Sequence, residues 1–263
     1  MKRRTGSMVF FEERIEISQL EKFIRRLRRE SEMKDLSLLQ VIMAAAVRMI
    51  ATHPGVNRFV AGRRLYARNS ISLSLSFKKS MSTEGAETTI TPCFSPADTL
   101  PDVWRRLHDE FAASKNKEDN GTDRLAALFA HLPVFLVKWT VWLVNGLDQL
   151  GRMPKAIHRL SPFHASAFIV DNGSLGIGSV YHHLYDFGTC SVFISIGRKE
   201  STLKIDENDN IKTEKTMNIR FVVDERICDG YYFAITLRDF RRLLRHPEQL
   251  LTVPGEFPED PQL

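Results

Sequence analysis

Cysteine is scarce in this chain. Its three cysteines, Cys93, Cys190 and Cys228, are too few and too scattered for a disulfide framework, so a reducing, cytoplasmic compartment is expected. Clean apolar runs are also missing. The best one, Leu132 to Leu147, is interrupted by Pro133, Lys138, Thr140 and Asn145, which makes it too short and too polar to span a bilayer. Burial within the fold or at a subunit interface is expected of it, with a peripheral role at a membrane surface as the weaker reading. The basic N-terminus lacks the apolar core of a signal peptide. A net charge of +5 comes without an aromatic-interleaved basic motif, so no nucleic-acid partner is expected, and Arg25, Arg26, Arg28 and Arg29 read as a solvated helix face. The adjacent pair His182 and His183 lacks a third ligand at suitable spacing, so no metal is expected.

What is present reads as one α+β domain. No internal repeat and no clean linker divides the chain, and 43% apolar residues suffice for a sizeable core. The expected division is a flexible lead-in over 1–8, a single domain over 9–251 and a flexible acidic, proline-rich tail over 252–263. Residues Val9 to Ile17 read as extended. Ser18 and Glu21 suggest a capping box before a helix whose Leu20, Phe23, Ile24 and Leu27 share one face. Ser37 and Gln40 suggest a second capping box, and the helix after it is apolar nearly all round, which predicts burial up to the stop at Pro54. Ile71, Leu73, Leu75 and Phe77 alternate with serines as a strand does, and Ala86 to Pro92 is expected to pair with it. Leu100 to Ser114 reads as a helix, Lys115 to Thr122 as a loop, and Arg124 to Leu150 as one or two helices. Ala165 to Val170, Ser191 to Ile196 and Asn218 to Val223 read as strands, and Tyr231 to Arg245 as a closing helix.

The most specific local pattern is Asp224-Glu225-Arg226-Ile227-Cys228-Asp229-Gly230, which follows a strand and precedes an amphipathic helix. It resembles the Asp-His-Arg-x-x-Asp-Gly signature of the dihydrolipoyl acyltransferases, in the chloramphenicol acetyltransferase-like superfamily. Every defined position matches except one: Glu225 stands where the family has its catalytic histidine. Pro247 to Leu251 resembles the family's closing Pro-x-x-Leu-Leu. Pro54 to Asn57 resembles the Pro-x-x-Asn that ends its second helix, and Asn172 to Gly176 resembles its Asn/Gly turn. The resemblance runs from about Val9 to Leu251 and is weak between Lys79 and Pro162, where the chain has a helical segment of its own. It implies a standalone, divergent 2-oxoacid dehydrogenase acyltransferase catalytic domain: a mixed β-sheet flanked by helices, assembled as a threefold homotrimer with active-site channels between subunits. It further implies coenzyme A or a lipoyl or pantetheine arm as substrate. The chain has no room for a lipoyl domain, so the arm would arrive in trans on an acyl-carrier protein or a partner in an enzyme complex, and no bound cofactor is expected.

The departure from the signature alters the chemistry. A glutamate is ordinarily about two pH units less basic than a histidine, worth roughly 3 kcal/mol of proton-accepting drive, and a carboxylate repels the thiolate it would generate. The family's hydroxyl, which steadies the tetrahedral intermediate, falls on Val170, which donates nothing. One lost oxyanion donor typically costs about 10²–10³ in rate. Glu225, His182 and His183 are therefore the candidate catalytic groups, and Val170 and Asn172 the candidate channel residues. Asp224, Arg226, Asp229 and Gly230 form the structural motif. Cys228 reads as a small buried residue, since Asp229 beside it disfavours a thiolate. Acyl transfer by a non-standard site, or a catalytically degenerate acyltransferase, is one expectation. A non-catalytic trimeric scaffold that binds partners is the other.

Overall fold

The structure is a computed structural model that describes residues 1, 3–78, 87–116, 133–154, 157, 161–205 and 209–260. Its centre is a mixed sheet in the order β1-β9-β8-β7-β4-β5, with β6 (Cys93–Phe94) paired to β4 off that path. The strands on the path are β1 (Met8–Glu16), β4 (Ile71–Lys78), β5 (Glu87–Ile90), β7 (Ala167–Asp171), β8 (Val192–Ile205) and β9 (Ile211–Asp224). β7 runs parallel to both β4 and β8, and the other pairs are antiparallel. A separate hairpin, β2 (Arg58–Ala61) with β3 (Arg64–Ala67), was not expected from the sequence, nor was the extension of β8 and β9 out to Ile205 and Ile211.

Strand alternation sorts the sheet into two faces. One carries Leu73, Leu75, Ile169, Ile194, Ile219, Phe221 and Val223 into the main core, under helices α1 (Ser18–Glu30), α2 (Leu38–Thr52), α3 (Leu100–Asn116) and α5 (Gly230–Arg245). The serines that alternate with these residues in β4 follow the expected pattern, and Glu87–Ile90 pairs with β4 as expected. Leu20, Phe23, Ile24 and Leu27 are the buried face of α1. The second capping box forms, with Ser37 and Gln40 bonding each other's backbone, and α2 is buried along nearly its whole length.

Several expectations are corrected. Ser18 is the first helical residue of α1 and caps nothing; Glu21 instead meets Lys199, Lys215 and Arg25. Lys115 and Asn116 continue α3, and the rest of the expected loop lies outside the described residues. The segment 1–8 is more than a lead-in, because Arg4 and Ser7 are buried and Met8 opens β1. In the tail, Asp260 folds back to form an ion pair with the buried Arg58, whose Nε donates at 2.6 Å. The apolar run is not buried within the fold: α4 (Val134–Gln149) leaves Phe135, Trp139 and Trp142 at 69%, 59% and 70% exposure. Among the described residues no helix is long and apolar enough to cross a membrane.

Candidate functional site

β9 delivers the motif residues at its C-terminal end. Val223 points into the core, so Asp224 faces the other side of the sheet, where it is fully buried. Its carboxylate accepts from Arg226 Nε at 2.8 Å, from Arg226 Nη2 at 2.6 Å and from the Arg226 amide at 3.2 Å. Arg4 Nε lies 3.6 Å away. The hydrogen bond to Asp224 holds the Arg226 guanidinium above its ordinary pKa. Burial pushes Arg4 down, and Asp224 opposes that. The other Arg4 nitrogens donate to Tyr185 O at 2.6 Å and Gly188 O at 2.9 Å. Arg4 thus clamps the motif to the loop over 176–188, and the Thr5 amide and hydroxyl add bonds to Asp186.

The motif's far end is architectural. Asp229 is the N-cap of α5, its carboxylate accepting from the Tyr232 amide at 2.8 Å. Gly230 opens that helix, and a Cβ there would meet nothing within 4 Å. Cys228 is half-buried, and its thiol is pushed up to about 12, chiefly by burial and further by Asp229 and Asp260 against the opposing Arg58. Glu225 is exposed. Its amide donates to Ser7 O at 2.9 Å, but its side chain has no hydrogen-bond or ion-pair partner among the described residues.

The second face of the sheet gathers the remaining predicted residues. Phe168, Val170, Phe193 and Val222 form a small apolar cluster there with Leu184 and Met8. The loop from β7 to β8 lays His182 flat on Phe193, with ring centroids 4.5 Å apart and planes 9° apart, and stacks His183 against it at 4.4 Å. His182 Nδ1 lies 2.7 Å from His183 O. A carbonyl only accepts, so Nδ1 is the donor in this contact. Nε2 has no hydrogen-bond partner among the described residues. Tyr181 joins Glu12, at 3.1 Å, and the Arg220 guanidinium over its ring at the rim.

Val170 pairs with Ser195 on one side and Ser76 on the other. Ser195 went unnoticed in the sequence. It is fully buried, and its hydroxyl oxygen accepts from the Val180 amide at 2.8 Å and from Asn172 Nδ2 at 3.0 Å. One N–H of Asn172 is therefore already engaged. The turn over Asn172–Leu175 closes on Gly176 at φ +75°, which glycine adopts without cost, and a Cβ at Gly173 would press on Gly197 O at 2.7 Å. A second buried network also escaped the sequence reading. Asp148 accepts from His164 Nε2 at 3.0 Å and from the Gly188 amide at 3.0 Å, tying the end of α4 to the same loop. Burial pushes the Asp148 carboxyl up, but those hydrogen bonds, together with the attraction of His164 and Arg4, more than offset it and the net shift is down.

Two cavities lie near the predicted residues. A cleft of about 700 Å³ lies between the start of α2 and the turn, lined by Asp171, Gly173, Arg198 and Lys199. A cavity of about 470 Å³ lies beside Arg226, with Arg3, Arg4, Arg63 and Asp186. Neither is lined by Glu225 or His182. Among the described residues no group of three or more metal-ligating side chains occurs.

Residues 170–252, the stretch that holds β8, β9, the motif and α5, match the family 2-oxoacid dehydrogenases acyltransferase (catalytic domain). No curated protein sequence matches the chain. The fold is similar to that of a probable dihydrolipoamide acetyltransferase from Listeria monocytogenes, with TM-score 0.61 and 12% identity over 93% of this chain and 89% of that one. It is similar also to a truncated catalytic core of the 2-oxoacid dehydrogenase multienzyme complex from Thermoplasma acidophilum, with TM-score 0.58 and 9% identity over 91% and 87%. Chloramphenicol acetyltransferase aligns with TM-score 0.50 and 9% identity over 90% and 88%. The resemblance drawn from the motif holds, and the expected chloramphenicol acetyltransferase-like α+β architecture is the one observed.

Proposed function

We propose that this chain binds an acyl thioester on a coenzyme A or pantetheine-type arm, in channels between the subunits of a homotrimer, and transfers the acyl group with His182 rather than Glu225 as the base. The arm would be a substrate arriving in trans, free or on a carrier protein. The acyltransferase match over residues 170–252 supports the substrate class. The observation that carries the choice of base is the fixing of the His182 ring, by the hydrogen bond from Nδ1 to the His183 carbonyl and by the stack on Phe193, with Nε2 left without a protein partner among the described residues. A neutral histidine accepts a proton from a thiol or hydroxyl at its free ring nitrogen. Glu225 offers no comparable arrangement, being exposed and without a side-chain partner among the described residues. His183 packs on His182 and on Tyr185, and serves to hold the ring.

Titration calorimetry of the purified protein with coenzyme A and acetyl-coenzyme A tests the reading, together with a thiol-release assay and a measurement of mass in solution. Micromolar binding to a trimer is expected. His182→Ala should abolish thiol release without changing the affinity, and Glu225→Gln should leave both unchanged. The non-catalytic scaffold is the second reading, favoured by Val170, which has no donor, and by the engagement of Asn172 with Ser195. A folded trimer that binds neither ligand supports the scaffold and overturns the transferase.

A further inference from the structure

Helix α4 is built against the usual economy of a surface helix. Val137, Thr140, Val144, Leu147 and Asp148 form its half-buried or buried stripe toward the body of the protein. At 100° per residue, Phe135, Trp139, Trp142 and Gly146 lie on the opposite side, so the helix turns its aromatic residues outward. Val134, Phe135, Trp139, Val141 and Trp142 are each more than half exposed. The helix carries two charges, Lys138 and Asp148, and Asp148 is spent inward on His164 and Gly188.

The C-terminal end of the helix meets a rim of arginines. The tight turn of the β2–β3 hairpin packs on its last turn, where the Gly62 amide approaches Gln149 Oε1 at 3.4 Å. That turn holds Arg63 at φ +64°, a conformation that favours glycine or asparagine, and presents Arg63 and Arg64 to solvent. Arg3 and Arg63 line one cavity with Asn145 and Gln149 of the helix, and Arg152, just past the helix end after Leu150 and Gly151, is exposed. Asp186, the acidic residue of that cavity, is hydrogen-bonded by Thr5.

We propose that α4 is a docking helix for an anionic bilayer surface, lying in the plane of the interface. Phe135, Trp139 and Trp142 would enter the boundary between headgroups and acyl chains, where tryptophan is favoured, and Arg3, Arg63, Arg64 and Arg152 would engage lipid phosphates. The charge complementarity selects this occupant, because the arginine rim beside an aromatic face matches a surface that is apolar within and negative at its edge. The inference is independent of the acyl-transfer reading, since none of these residues belongs to that site.

Co-sedimentation of the full chain with vesicles tests it, using phosphatidylcholine alone and phosphatidylcholine with phosphatidylglycerol. A Trp104→Phe background leaves only the α4 tryptophans to report by fluorescence. Binding and a blue shift are expected with the anionic vesicles at low salt, both lost at high salt. Trp142→Glu should weaken partition by roughly tenfold or more, and Arg63→Gln by about fivefold. Both positions are exposed, so folding is not at stake, and circular dichroism checks it. Failure to bind anionic vesicles at low salt overturns the proposal. It is overturned equally if tryptophan emission is already blue-shifted without vesicles in an oligomer that Trp142→Glu dissociates, which would make a second copy of the chain the occupant.

Discussion

Replacing Asp224 by asparagine removes one negative charge and little volume from the centre of the motif. In the wild type the carboxylate is fully buried and satisfied by Arg226 at 2.6 and 2.8 Å, with Arg4 at 3.6 Å. Asparagine keeps one acceptor but leaves the Arg4 charge, at 4% exposure, with only the weaker attraction of Asp148. Breaking a buried pair in this way costs about 3–5 kcal/mol. Arg226 is 17% exposed at the side chain and recovers some hydration, and Arg4 keeps its two carbonyl acceptors. The loss should therefore fall at the low end, about 3 kcal/mol. Urea unfolding at neutral pH measures it as a lowered midpoint with unchanged slope. Arg4→Met removes the stranded cation, so the double variant Asp224→Asn/Arg4→Met should be more stable than the sum of the single losses implies, by about 1–3 kcal/mol. A single-variant loss below about 1 kcal/mol, or strictly additive losses, would refute the claim that Asp224 neutralises a desolvated cluster.

Two further predictions concern protonation. Because the folded-state pKa of Asp148 is held below its ordinary value, its ionised form contributes stability above that ordinary value, near pH 4. This contribution is lost as pH falls through the depressed folded pKa, so melting temperature should drop more steeply below about pH 4 in the wild type than in Asp148→Asn; parallel acid limbs would contradict the assignment. The Cys228 thiol, raised to about 12, should resist iodoacetamide at mildly alkaline pH while the exposed Cys93 is alkylated, as read by peptide mass spectrometry. Equal modification of the two in the native protein would reopen Cys228 as a nucleophile.

The sequence by itself determined the elements whose information is local. The four apolar residues of α1, the capping box and all-round burial of α2, and the serine alternation of β4 each repeat at the period of the element they form, so counting along the chain recovers them. The Asp224–Gly230 motif was legible for the same reason, and it carried the fold. Tertiary structure decided what depends on residues far apart in the chain. Val170 and Ser195 become neighbours only through the parallel register of β7 and β8. Arg4 reaches Asp224 and Gly188 across more than half of the chain, and no spacing rule announces a buried arginine near a terminus. The His182 ring is held by a carbonyl and a stacked phenylalanine that the loop path supplies. Hydropathy gave the composition of α4 correctly but could not show that its aromatic side faces outward. Burial is a property of the space around a helix, and one segment's periodicity does not contain it.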